Sequence, residues 1–333
     1  MEKPPRFRPN PDLKLMEQVR EVLRYYSYAY RTEQAYCQWI LRYIRFHGGH
    51  THPEKLHSPH IERFLSHLVS EGNVSAATQK QALNALIFLY HKVLDIRVDD
   101  SISPLRAKKT KRLPTVLTQD ETNRVLDELQ GTHALMAKLL YGAGLRLMEC
   151  IRLRIQDVDF GQNQIYVRES KGGDHRITFL PGIIRGELVT HMDKVKILHR
   201  QDLAEGYGRV FMPDALMRKY PNAAAETAWQ YVFPAKNRST DPRSGEVRRH
   251  HVLESGLQKA VKIAAARAGV AKRVSCHTLR HSFATHLLEN GVNIRQVQQL
   301  MGHKDAKTTE IYTHVMQKGL EQLLSPLDQL HNG

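Results

Sequence analysis

The chain has 333 residues, 41 % of them hydrophobic, which is enough to bury real cores and predicts two domains rather than a disordered protein. Lys and Arg number 49 against 34 Asp and Glu, a formal charge of +15, and a field of that sign and size suits a polyanion such as nucleic acid. No apolar run approaches the ~20 residues a membrane span needs. The opening MEKPPRFRPNPDLK lacks a secretory core, and Cys37, Cys150 and Cys276 are too scattered for a disulfide framework or a zinc cluster, so a cytoplasmic chain is predicted.

Residues 1–11 carry four prolines and read as a flexible arm. Helical patterns fill residues 12–98. The first runs through Leu15, Met16, Val19, Val22, Leu23 and Tyr26, and the second follows a candidate N-cap at Thr32 and contains Tyr36, Trp39, Ile40, Tyr43 and Ile44. In SPHIERFLSHLV, Ser58 reads as the cap, Pro59 as the first helical residue, and Ile61, Phe64, Leu65 and Leu68 as the buried stripe. A fourth helix passes through Leu83, Leu86, Ile87 and Tyr90. Four amphipathic helices predict a small bundle. Residues 99–114 then form a basic, proline-containing linker, where Lys108, Lys109, Lys111 and Arg112 are candidate phosphate contacts.

The second domain, 115–333, opens with a capping box of Thr118 and Glu121 ahead of Val125, Leu126 and Leu129. A helix through Leu135, Leu139 and Leu140 leads into YGAGLRLMEC. NQIYVRES and HRITFLP flank KGGD, a Gly-Gly turn between alternating strands, which predicts a hairpin. The pattern from 183 to 252 is irregular. Beyond it come a helix ending near Gly269, a helix at 277–290 stopped by Asn290-Gly291, a short helix ending at Gly302, and a leucine-rich tail.

Several basic groups lie at element ends, where side chains can converge. Arg146 starts a helix, Lys171 sits on the hairpin tip, His277 and Arg280 share a helix face, and His303 follows a terminating glycine. Arginines and histidines in fixed geometry donate to phosphate oxygens, and Tyr312 offers a nucleophilic hydroxyl once nearby cations lower its pKa. Taken singly, each has an ordinary reading as packing or solvated charge. The three histidines of HTLRHSFATH lack a His-Glu-x-x-His or carboxylate pattern, so no metal is expected.

As an ordered set the residues resemble the tyrosine recombinase family. HTLRHSFATHLLENGVNIRQVQQLMGHKDAKTTEIYTHV is similar to that family's signature, and GAGLRLMEC to its upstream arginine box. The resemblance implies a mainly α fold: a four-helix core-binding (SAM-like) domain, then an α+β catalytic domain with a small antiparallel sheet. It also implies that Tyr312 attacks the scissile phosphate of DNA and that Arg146, Arg280 and His303 hold the phosphoryl oxygens. Lys171 would protonate the leaving 5′ oxygen and His277 would assist, with no cofactor and no metal.

A long segment separates Lys171 from His277, and ALMRKYPNAAAETAWQYVFPAKNRSTDPRSGEVRRHHV within it is similar to the extra segment of integron integrases. That branch recombines gene cassettes at sites folded from single-stranded DNA. An insertion over about 186–252 is therefore expected, with Trp229, Pro242, His250 and His251 as partners for extruded bases and Arg248 and Arg249 as backbone contacts. Leu320, Leu323, Leu324, Leu327 and Leu330 form one apolar stripe. By resemblance, a helix at about 316–330 passes to a neighbouring protomer and links a homo-tetramer on DNA. A recombinase of duplex sites, as in chromosome-dimer resolution or phage integration, and a non-catalytic DNA-binding protein of the same fold are the alternatives.

Overall fold

The computed structural model describes residues 7–98, 102–108, 113–168, 175–303, 309 and 312. The chain forms two compact units, Met1–Arg112 and Leu113–Gly333. No helix among the described residues is long and apolar enough to cross a membrane.

The first unit is helical: α1 (Leu15–Tyr25), α2 (Tyr30–Phe46), α3 (Ser58–Ser70) and α4 (Ala76–Phe88), the last running into a wider π turn over Leu89–Val93. Each helix turns its apolar stripe inward. Val19, Val22, Leu23, Ile40, Tyr43, Ile61, Leu65, Leu86 and Leu89 are fully buried, each large aliphatic contributing roughly 1.5–3 kcal/mol. Two helix starts lie earlier than the sequence pattern predicts. Ala29 caps α2, which puts Thr32 inside its first turn, and His57 caps α3, which makes Ser58 rather than Pro59 the first helical residue. The buried Gln79 donates to the carbonyls of Leu65 (3.2 Å) and Leu105 (2.6 Å) and accepts from the Ala107 amide (3.2 Å), so it pins the segment leaving the bundle.

In the second unit, Thr118 and Glu121 form the reciprocal cap of α5 (Gln119–Asp127), at 2.8 and 3.1 Å. Next come α6 (Gly131–Gly142) and α7 (Leu147–Ile151). The antiparallel sheet β1 (Val158–Asp159), β2 (Gln164–Val167), β3 (Arg176–Phe179) contains the predicted hairpin, with Ile165 opposite Thr178.

The segment read as irregular holds a 20-residue helix, α8 (Arg185–Ala204). Its buried face is Leu188, Met192, Val195, His199 and Asp202. Polar residues complete the stripe, and this hides the period. A short α9 (Asp214–Lys219) and the hairpin β4 (Ser239–Thr240), β5 (Val247–Arg248) follow. This region is stitched to the main core. Val232 donates to the Leu153 carbonyl (2.7 Å) and Val252 to that of Phe233 (2.9 Å), and Val232 and Phe233 are buried in that core.

The chain closes with α10 (Glu254–Arg267), α11 (Cys276–Glu289) and α12 (Ile294–Met301). Helix α11 is buried nearly all round and packs on α6. It also anchors the entry to this unit, because the Leu117 amide donates to Ser282 Oγ and the Leu117 carbonyl accepts from His286, both at 2.9 Å. The predicted exchange helix at 316–330 lies outside the described residues.

Candidate active site

Three helix ends meet at one point. Arg146 is the N-cap of α7, Arg280 lies in the first turns of α11, and His303 follows Gly302, which ends α12 in the left-handed conformation (φ +60°). Ser275 caps α11 through the Thr278 amide, and this fixes the turn that carries His277 and Arg280. Gly144, at φ +63°, turns the chain ahead of Arg146 with its α-carbon pressed on the Phe283 ring.

Backbone carbonyls hold the two arginines. Arg280 is 3 % exposed and donates to the carbonyls of Gly144 and Met301. Arg146 donates to the Gly302 carbonyl (2.9 Å) and to Glu149 (2.6 Å). Burial pulls the Arg280 guanidinium down to about 9, so it stays charged at neutral pH. Its neighbour Glu149 also lies 3.7 Å from Arg280, and it receives Arg176 from β3 at 2.8 and 2.6 Å. Burial alone would raise the Glu149 carboxyl. The Arg176 hydrogen bonds and charge, the Arg146 amide and the Arg280 charge hold it at about 2 instead.

Tyr312 is 3 % exposed, and its hydroxyl lies 2.8 Å from Nδ1 of His281. Burial raises its pKa, while Arg280 and Arg146 pull it back. The His303 ring stacks near that of Tyr312 at 6.2 Å, and its Nδ1 is 2.9 Å from Thr309 Oγ1. Burial, then the charges of Arg280, Arg146 and Arg176, push His303 down to about 4, so the ring is neutral at neutral pH. His277 sits at the exposed side of the cluster, lowered by desolvation and by Arg280 and Arg146. Lys171 lies outside the described residues. Five of the six expected catalytic residues therefore come together, joined by Glu149, Arg176 and His281, which the sequence pattern did not single out. Fixed cations beside a buried phenol can bind a phosphodiester and stabilise the charge that builds on its non-bridging oxygens during attack.

The other predicted contacts divide. Trp229 is half-buried, with the Arg154 and Arg168 guanidiniums 5.7 and 5.8 Å from its ring. His250 stacks on Tyr231 (5.4 Å) and meets the edge of the buried His251. Pro242 is exposed on the β4–β5 turn, where Asp241 accepts from the Arg243 and Ser244 amides. Arg248 and Arg249 point inward. Arg248 is buried against Glu246 and the Val210 carbonyl, and Arg249 grips Asp202 (2.5 and 2.8 Å) and the carbonyls of Ala235 and Lys236. These partners occupy donors that a phosphate would need. Lys108 is exposed, and Lys109, Lys111 and Arg112 lie outside the described residues.

Residues 115–318 match the profile of the "Phage integrase family", and residues 15–100 that of the "Phage integrase, N-terminal SAM-like domain". An "Integrase/recombinase" of Escherichia coli is 47 % identical over 318 residues, spanning 96 % of this chain and 94 % of that protein. "Tyrosine recombinase XerA" of Thermococcus kodakarensis is 32 % identical over 290 residues, 85 % of this chain and 84 % of its own length. In fold, the chain is similar to XerH recombinase bound to a palindromic difH substrate, with a TM-score of 0.58 at 20 % identity over 92 % of this chain and 83 % of that one. It is equally similar to a lambda integrase dimer on a COC′ core site, with a TM-score of 0.58 at 17 % identity over 93 % and 97 %.

Proposed function

Since the chain belongs to the phage integrase family, tyrosine recombinases that cleave and rejoin DNA at specific sites, we propose that Tyr312 is its nucleophile and that it forms a 3′-phosphotyrosyl ester. Arg146, Arg280 and His303 hold the non-bridging oxygens, Lys171 protonates the leaving 5′ oxygen, and His277 assists at the open side. The ester keeps the energy of the broken bond, so rejoining needs no nucleotide cofactor. One observation carries the reading: both guanidiniums are fixed by backbone carbonyls beside the Tyr312 hydroxyl. Donors placed before the reaction stabilise developing charge by roughly 3 kcal/mol each.

The substrate we propose is an attachment site of a gene cassette, folded from one DNA strand, as in the integron integrases that this sequence resembles. The half-buried Trp229 and His250 support it, with Arg154 and the buried Tyr231 packed behind them. An extruded base offers a π face worth roughly 1–3 kcal/mol on such a platform. Pro242 adds an apolar contact from the hairpin tip, and His251 buttresses His250. Arg248 and Arg249 serve by holding this region in shape. On DNA the protein acts as a tetramer linked by exchange of the segment around 316–330. The likeness to XerA favours a second reading, a recombinase of duplex sites.

Mixing the protein with a hairpin-folded single-stranded cassette site in EDTA, followed by a denaturing gel, tests these readings together. A slow covalent adduct that vanishes in Tyr312→Phe is expected. An adduct on duplex sites alone overturns the folded substrate, and binding without any adduct overturns the nucleophile.

A further inference from the structure

His281 is absent from the family roles assigned above, yet its side chain lies within hydrogen-bond reach of the proposed nucleophile. Its Nδ1 lies 2.8 Å from the Tyr312 hydroxyl, with the ring centroids 5.5 Å apart. It stands one turn along α11 from His277 and directly after Arg280, so the helix that supplies the phosphate-binding arginine also supplies this partner.

Resting on the reading of Tyr312 as nucleophile, we propose that His281 is the general base that takes the Tyr312 proton, and that a bound phosphate switches it on. As Tyr312 Oη bonds to phosphorus, its proton passes to His281 Nδ1. The bond to the 5′ oxygen breaks, and that oxygen takes its proton from Lys171. Rejoining runs in reverse, with His281 returning the proton to the departing phenol.

The surroundings of His281 supply the switch. Burial, then the charges of His277 and Arg280 on its own helix, hold its pKa at about 4, and from outside that helix Tyr312 and His303 also interact with it. In this arrangement His281 is neutral, able to accept a hydrogen bond but too weak a base to ionise a buried phenol. A phosphodiester seated on Arg280 and Arg146 brings negative charge beside it and offsets the cationic part of that depression. Its basicity then rises where and when DNA is in place.

The test follows covalent adduct formation in single turnover, from about pH 6 to about pH 9. It uses the full chain on hairpin-folded and duplex cassette sites, with His281→Ala, His281→Asn and Tyr312→Phe. Asn keeps an acceptor in reach but cannot take the proton. Both His281 variants are expected to bind DNA as the wild type does and to lose cleavage by on the order of 100-fold at neutral pH. The deficit should narrow as pH rises and the phenol ionises unaided, and added imidazole should restore part of the rate of His281→Ala. Wild-type or faster cleavage in either His281 variant overturns the proposal, as does a deficit that neither pH nor imidazole relieves. An adduct that persists in Tyr312→Phe overturns the nucleophile reading itself. Its loss there, with His281→Ala unchanged, removes the role of His281 alone.

Discussion

Arg176 grips Glu149 with two parallel hydrogen bonds, 2.8 and 2.6 Å long, between residues 27 positions apart in sequence. The pair ties β3 to the start of α7. Arg176 also donates to the Leu300 carbonyl (2.8 Å), so one guanidinium braces the hairpin, the arginine box and the end of α12. Glu149 in turn offsets the charge of three arginines gathered at the candidate site.

The stability of the second unit should fall in acid for this reason. Glu149 is held at about 2 in the fold against an ordinary 4.5. Its contribution is therefore fully present above pH 4.5 and lost as pH falls toward 2. The loss is on the order of 3 kcal/mol, and urea unfolding at stepped pH measures it. Glu149→Gln should start less stable and lack this part of the slope. An identical acid slope in the variant would place the sensitivity elsewhere.

Tyr312→Phe should abolish the covalent adduct while leaving DNA affinity near wild type, as gel-shift titration would read it. Arg146→Ala should bind somewhat more weakly and cleave at least ~100-fold more slowly. A mild effect on cleavage would mean that Arg146 does not reach the phosphate.

A β-carbon at Gly144 would lie 2.3 Å from Cε1 of Phe283, at a φ of +63° that side chains disfavour. Gly144→Ala should cost at least about 2 kcal/mol. The same carbonyl holds Arg280, so cleavage should fall along with the melting temperature. Full activity at a lowered Tm would show that this carbonyl does not position the arginine.

Arg249→Ala should act on folding rather than on DNA attraction. It strips the 5 % exposed side chain of Asp202 of its bidentate partner and leaves Arg238 at 3.7 Å. The expected cost is about 3 kcal/mol. The slope of affinity against salt should stay unchanged, whereas a phosphate contact would lower it by about one. Binding measured across a salt series separates the two.

The sequence exposes the site's polar ends well, because helix ends carry strong local chemistry. Gly302 and Asn290-Gly291 stop helices where a left-handed residue or a break is needed, and HTLR follows a serine cap. Long-range pairing leaves no such trace. Arg176 reads as an ordinary strand residue until β3 is laid against Glu149. Arg249 reads as a surface cation because its partner Asp202 lies on α8, whose stripe ends in His199 and Asp202 and so carries no clear apolar period. Two of the site positions do carry a local signal. Glu149 stands three residues after Arg146, where a carboxylate can accept from the N-cap amide, as it does at 2.7 Å, and His281 shares the helix face of His277 at i+4.

The two hydrogen bonds that clamp Leu117 to Ser282 and His286 give the molecule a mechanical property. The chain enters the catalytic unit by fastening onto α11, whose first turns carry His277, Arg280 and His281. A pull on the segment entering at Leu117 is therefore shared by α11, through Ser282 and His286, and by the core in which Leu117 is buried. The way into this unit and the turns that carry the candidate site are thus fastened to one and the same helix.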